Sequence, residues 1–380
     1  MLPLKYVDKW RVRTGYERIV AHRAGKDFAG VAKMDGEVTN MDEKIHMVEV
    51  TYKDGSIDVF QYGEKFTEHE SVSATQNLEC IVQLGQKVKK GDIIMYNKNF
   101  FTLDPLTKQV DFSIGAVANV ALIETDVDSE DATEISERLA KKLTIVPTNT
   151  RVVTLARDNV IHKCAKIGDV VNTTDDLVVF EDDATLGGTA DSTTFSKLDQ
   201  ETIDLLGDLN RKTPKAKFNG TVVRIDAYYG GPISEMSESL QPIVKAAVAT
   251  MQKQHKFAAS TMDATDYAAP APLPKYSKFK GVDFDETTVM LIFYIQEEQV
   301  ERVGDKEVFG NQLKHTVSSI ATHKQYTEDG EEIDAVFSCD AIGRRITQSP
   351  TLTGIISRIV ERVQKNALAL YFDEDADAKK

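Results

Sequence analysis

The chain has 380 residues, of which 41% are hydrophobic, and 60 acidic against 46 basic side chains give it a formal net charge of −14. That length and apolar content support a sizeable core divided over two or three domains. The acidic balance argues against a free-standing nucleic-acid binder, whose surface is normally basic, so any nucleic-acid contact is expected to be local or shared with partner chains. Residues 5–16 carry the only tryptophan, Trp10, among Lys9, Arg11 and Arg13. Strand signals follow at 30–33 and over 47–52, where Val48, Val50 and Tyr52 alternate with polar positions; an Asp54-Gly55 turn then leads to renewed alternation over 57–60. This opening is β-rich and not a Rossmann unit.

An internal echo comes next. Leu84-Gly85-Gln86-Lys87-Val88-Lys89-Lys90-Gly91-Asp92-Ile93 and Ile167-Gly168-Asp169-Val170-Val171-Asn172-Thr173-Thr174-Asp175-Asp176-Leu177 both describe strand, tight turn, strand, a unit that barrel folds use. Biotin and lipoyl carrier domains are built from similar hairpins, but no modifiable lysine at a hairpin tip is evident. Between the copies, residues 112–121 lead into an acidic segment at 128–138. A helix is predicted there with Ile135, Leu139 and Leu143 on one stripe and Asp131 with Glu134 as a capping box. Acids at a helix N-terminus complement its dipole and stabilise by roughly 0.5 to 1 kcal/mol.

Beyond Phe180 the composition shifts to Glu181-Asp182-Asp183, Gly187-Gly188 and a Ser/Thr/Asp-rich stretch, which predicts a boundary. A short helix over 199–209, a strand-like run at 218–226, an amphipathic helix around 242–254 and a polyproline-like connector at 268–274 follow. A linker on each side suits a movable arm over 181–280. The most apolar run, residues 289–295, predicts a buried strand and is far too short to span a bilayer. A helix is predicted over 352–363, and residues 366–380 form an acidic tail. Cys80, Cys164 and Cys339 are isolated, so neither a disulfide framework nor a thiolate metal site is supported and a reducing compartment is expected. No signal-peptide core opens the chain, and a soluble protein is expected.

Gly304-Asp305-Lys306 leaves the end of the apolar run, and Lys314 follows eight positions after Lys306 in Gly310-Asn311-Gln312-Leu313-Lys314-His315. Such a loop can offer backbone N–H groups and point charges to a phosphate, and Arg344 or Arg345 further on would add a bidentate clamp. Taken alone, Gly-Asp-Lys also describes a tight turn with a solvated lysine.

In this order the residues resemble the second-largest, or β, subunit of multisubunit DNA-directed RNA polymerases. The family signature runs Gly-Asp-Lys, a glycine-rich stretch, Lys, an acidic-Gly turn before an Ile/Val-Asp-Ile/Ala-Val strand, and a Ser-Arg-Met-Asn segment opening a helix. Its counterparts here are Gly304-Asp305-Lys306, Lys314, Glu328-Asp329-Gly330, Ile333-Asp334-Ala335-Val336 and Arg344-Arg345-Ile346. Arg13-Thr14-Gly15-Tyr16-Glu17-Arg18 resembles the family's Gly-Thr-Gly-Met-Glu-Arg, and Glu130, Asp131, Ile135, Ser136, Glu137 and Arg138 match its Asn-Phe-Glu-Asp-x-Ile-x-x-Ser-Glu-Arg. Most glycines between the two lysines are missing, so the lysines' role carries over better than the loop's conformation.

The resemblance implies a mainly β fold with some α, built on a double-psi-type β-barrel. Residues 1–180 and 281–365 would be its two parts and 181–280 an inserted flap-like domain. Everything the family places before residue 13 and after about residue 363 is absent, which implies one piece of a split β subunit, an organisation similar to that of giant bacteriophage polymerases. In that setting Lys306 and Lys314 would grip the RNA 3′ end and its phosphates. Arg345, or Arg344 if the alignment slips by one, would clamp the incoming triphosphate, and Glu130 with Asp131 would tune the second Mg²⁺. The first Mg²⁺ belongs to an Asp-x-Asp-x-Asp motif on a β′-like chain, so this chain alone should be inert. Implied partners are N-terminal-half β-like and β′-like chains, a promoter-specificity factor, template DNA, RNA and nucleoside triphosphates, with no membrane. The implied place is the cytoplasm of an infected bacterium or the virion. The alternatives are a non-catalytic polymerase-binding scaffold and an unrelated β-rich virion or carrier protein.

Overall fold

A computed structural model describes residues 3–69, 72–181, 211–259, 273, 277–310, 312–345 and 348–372. The described chain is mainly β, with few helices and with sheets that curl into half-barrels. Its centre is the strand Thr288–Gln296, in which seven consecutive residues are buried. Strand side chains alternate between faces, so a strand with one covered face alternates in hydropathy, whereas a strand with a core on each face is apolar throughout. Here Val289, Leu291, Phe293 and Ile295 enter one core with Val153, Val222 and Leu240, while Met290, Ile292 and Tyr294 enter another with Phe284 and Phe279. Antiparallel neighbours, Pro147–Ala156 and Gly220–Tyr229, cover both edges along its whole length. The eight-stranded sheet continues through Val72–Cys80, Ile93–Asn97 and Ala29–Val31 on one side and Val170–Val171 on the other.

The internal echo is a repeated corner. In Gln83–Gln86, Lys89–Asp92 and Lys166–Asp169 the first residue's N–H donates to the side chain three positions on, at 3.0, 2.8 and 2.8 Å. The third residue is a glycine with φ of +77, +92 and +96°, a left-handed conformation that glycine adopts without steric cost. Each glycine N–H donates to the carbonyl of a buried residue distant in sequence, Val38, Ala32 or Val222, whose own N–H returns to the carbonyl of the corner's last residue. A further corner of this kind is Arg302–Asp305. Its first N–H meets Asp305 Oδ2 at 2.8 Å, Gly304 has φ of +96°, and Val317 is the distant anchor at 2.8 and 2.9 Å. The Gly-Asp of Gly304-Asp305-Lys306 therefore sets where the next strand begins.

Several expectations hold and others are corrected. Strands occupy Met47–Tyr52 and Ile57–Gln61 around Gly55, and a helix occupies Leu240–Ala258. The capping box at Asp131 and Glu134 does not form. Residues Ala132–Ser136 are a strand paired on both sides, and the helix, Glu137–Lys142, starts at Ser136, whose Oγ accepts the Leu139 N–H at 3.1 Å. Sheet pairing outweighs local helical periodicity here, although Ile135, Leu139 and Leu143 still share one core. The boundary at Gly187-Gly188, the helix at 199–209 and the connector at 268–274, apart from Leu273, lie outside the described residues. Within the expected arm, Gly220–Tyr229 lies beside the central strand and the helix puts Leu240, Val244 and Val248 into the same core, so this part is integral to the main sheet. The final helix runs Ser349–Phe372, so the expected tail begins inside it. No described helix is long and apolar enough to cross a membrane.

Candidate phosphate-facing site

A five-stranded sheet interlocks two distant parts of the chain. Its order is Val120–Leu122, Ala335–Phe337, Ala132–Ser136, Leu313–Ala321, Lys306–Phe309. Val120–Leu122 runs parallel to Ala335–Phe337, and Ala132–Ser136 runs parallel to Leu313–Ala321. Arg138 clips the arrangement by donating from Nε to Asp334 at 2.7 Å and pairing with Glu332 at 3.2 Å.

The last two strands form a hairpin in which Lys306 opposes Thr316 and Val308 opposes Lys314. Opposed residues share a face, as do residues two apart on one strand, so Lys306 and Lys314 stand on the same face as diagonal neighbours, about 7–8 Å apart at the backbone. Both are exposed, and among the described residues neither ammonium has a hydrogen-bond or ion-pair partner. The opposite face buries Leu313 and His315, with the imidazole stacked on Phe309 at 4.1 Å between ring centroids. Burial pushes the His315 pKa down, so the ring is neutral at neutral pH and adds no charge beneath the lysines. The corner's N–H groups are not available to a ligand, because Gly304 and Asp305 donate theirs to Val317 and Arg302. Charge is what this loop offers, contrary to the sequence expectation of free amides.

Arg345 reaches across the hairpin turn. Its Nη1 donates to the Gln312 carbonyl at 3.1 Å, its Nη2 to the Lys314 carbonyl at 3.2 Å, and the guanidinium pairs with the Asp131 carboxylate. The Asp131 carbonyl in turn accepts the Thr316 N–H at 2.8 Å. Lys314, Arg345 and Asp131, from three segments, thus meet at one end of the sheet. Arg344 does not join them, since it ends the short helix Cys339–Gly343 and pairs with Asp340 on that helix. Glu130 is exposed, with φ of +57°.

Lys306, Lys314 and Asp131 line a groove of about 2040 Å³ between the hairpin, residues 10–14 and 114–122, and the helix Ser349–Phe372. Three other cations on its wall are already neutralised: Arg11 by Glu361, Arg13 by Asp111 and Arg358 by Glu331. Arg302 is the residue that sequence reasoning passed over. It is exposed on the groove wall and its guanidinium has no partner among the described residues, and the signal was present, because Lys89 and Lys166 occupy the same first position of their corners.

Behind the hairpin, burial and then the neighbouring Glu307 carboxyl push Glu301 up to about 8, and burial raises Glu307 as well. A carboxyl whose folded pKa is raised binds more protons folded than unfolded, so its contribution is fully present below the unfolded value near 4.5 and is lost as pH rises through about 8. The thermal midpoint should therefore fall between pH 5 and 8.5. Glu301→Gln should flatten that fall and exceed the wild type at pH 8, as scanning calorimetry in matched buffers would show.

Fold and site together define a mainly β protein that presents, on a hairpin beside a large groove, two lysines with no partner among the described residues. Comparison with protein-family models and with curated proteins finds no match.

Proposed function

We propose that the chain is the C-terminal-half piece of a split β subunit of a multisubunit DNA-directed RNA polymerase, with the sheets forming parts of a double-psi-type barrel and residues 181–280 carrying a flap-like element. The observation that carries the reading is the hairpin itself: two lysines on one face, unpaired among the described residues, with Arg345 and Asp131 bound at its turn. Nucleotidyl transfer is mostly positioning and charge stabilisation, and these groups suit that work. Lys306 and Lys314 would hold phosphates near the RNA 3′ end, and Arg345 would exchange Asp131 for the triphosphate. A planar guanidinium that already donates to a carboxylate in this position is oriented for an oxyanion.

Glu130 and Asp131 do not make a metal site by themselves, since among the described residues no three metal-ligating side chains converge. Under this reading the Mg²⁺ of the reaction would be held by acidic residues of a β′-like partner. Affinity purification of the tagged chain from infected cells, followed by mass spectrometry, tests the reading. Co-purifying chains with an Asp-x-Asp-x-Asp motif are expected, and their absence would refute the polymerase assignment.

A further inference from the structure

The helix Ser349–Phe372 forms one wall of the groove without being packed into the protein. None of its residues is buried, and none of its apolar side chains belongs to a core. Its first turn sits close against the lysine hairpin, because Gly310 has no side chain: a Cβ there would stand 3.0 Å from the Pro350 Cβ. Thr351, Gly354, Ile355 and Arg358 then line the groove. Among the described residues, the polar side-chain contacts between residues 351–372 and the body of the protein are ion pairs. Arg358 and Lys365 both meet Glu331, the second at 2.9 Å; Arg362 meets Asp329 at 3.1 Å, and Glu361 meets Arg11 at 3.2 Å.

The two sides of this attachment are complementary in charge. At about 100° per residue, Arg358, Arg362 and Lys365 share one side of the helix. They meet the acidic turn 327–331, which is fixed by the Thr327 N–H donating to the Glu331 carbonyl at 2.8 Å and the Gly330 N–H donating to the Thr327 carbonyl at 2.9 Å. At a rise of about 1.5 Å per residue, the pairs begin about 12 Å from Pro350 along the axis and end about 22 Å from it. The helix is therefore seated at one end and held by charge along its middle. The paired side chains keep between 15% and 70% of their surface exposed, so salt screens the attraction, and no buried apolar contact of the helix stands behind it.

We propose that Ser349–Phe372 is a gate on the groove, seated at Pro350, latched by Asp329, Glu331 and Arg11, and released when these pairs are broken. Access to Lys306 and Lys314 from that side then depends on charges at a turn that the ligand need not touch. The inference stands on the ion pairs and holds whether or not the chain belongs to a polymerase.

Trp10, the only tryptophan, reports on the gate. It lies on the groove wall beside Arg11, partly shielded, with Nε1 donating to the Ile114 carbonyl at 2.9 Å. Acrylamide is neutral, so its quenching of Trp10 fluorescence in the full-length chain can be compared across salt. The quenching constant should rise at least about twofold between about 50 mM and about 1 M sodium chloride. Asp329→Asn combined with Glu331→Gln should give the raised value already at the lower salt. Glu235→Gln, which removes an exposed pair with Arg157, should leave the wild-type response to salt unchanged. Far-UV circular dichroism should keep its helical signal throughout, which separates release of the helix from its unfolding; should the double variant not fold, the wild-type salt series still decides. Quenching that ignores salt in the wild type, a folded double variant that matches the wild type at low salt, an equal effect from Glu235→Gln, or loss of helical signal in step with the quenching would each overturn the proposal.

Discussion

Lys306→Ala or Lys314→Ala, introduced into the reconstituted polymerase proposed here, should slow RNA elongation roughly a hundredfold, the rate equivalent of about 3 kcal/mol for one lost charge contact to the reacting phosphates. The two should behave alike because they share one hairpin face and neither is committed to another group among the described residues. Closure of partner chains over the groove would lower the local dielectric and raise the value of each charge. Lys→Arg should recover only part of the rate, since a planar fork does not replace a compact ammonium between the hairpin and a phosphate. Assembly should be unchanged, because both side chains are exposed and contribute nothing to the core beneath. The measurement is elongation on a preformed RNA–DNA scaffold with matched subunit content. Wild-type rates from both alanine variants would end the catalytic assignment and leave the fold untouched.

Phe293→Ala should be the most damaging core substitution in the central strand, costing about 3–5 kcal/mol of stability. Phe293 is fully buried between two paired neighbour strands, opposite Arg151 on one and Ile225 on the other, and backbone hydrogen bonding on both sides leaves little freedom for collapse into the void. Leu106→Ala is the control, since Leu106 is 92% exposed and its loss should fall within about 0.5 kcal/mol of zero. Urea unfolding of both variants tests the contrast. Equal midpoints would mean that the strand does not carry the core.

What was legible in the sequence is what local pattern determines. The apolar run at 289–295 has no alternation because both faces are covered by apolar cores, and the alternation at 47–60 marks a hairpin that puts Val48, Val50, Tyr52 and Phe60 into one core, with Met47 and Val59 entering a smaller one on the other face. The lysine spacing was read through the family resemblance as a loop, and the structure makes it a hairpin in which positions eight apart are diagonal neighbours. The 128–138 segment was misread because Glu134 accepts from Ser319 and Gln325, partners nearly two hundred positions away that no local window contains. The choice between Arg344 and Arg345 was likewise invisible, since it depends on Asp340 holding one of them and Asp131 the other. The hairpin of Gly63–His69 with Val72–Cys80 carries mostly polar residues and gave no hydrophobic signal.

The parallel pairing of Ala132–Ser136 with Leu313–Ala321 also has a meaning for biosynthesis. At about 5–20 residues per second, the ribosome needs roughly 10 to 35 s to travel from the end of the first strand to the start of the second. Throughout that interval the nascent segment has neither of its sheet neighbours, because Ala335–Phe337 is made later still. The hairpin that carries the lysines is also absent until then. The groove is consequently a product of completed translation, and the early strand is the stretch of the newborn chain most in need of a chaperone's cover.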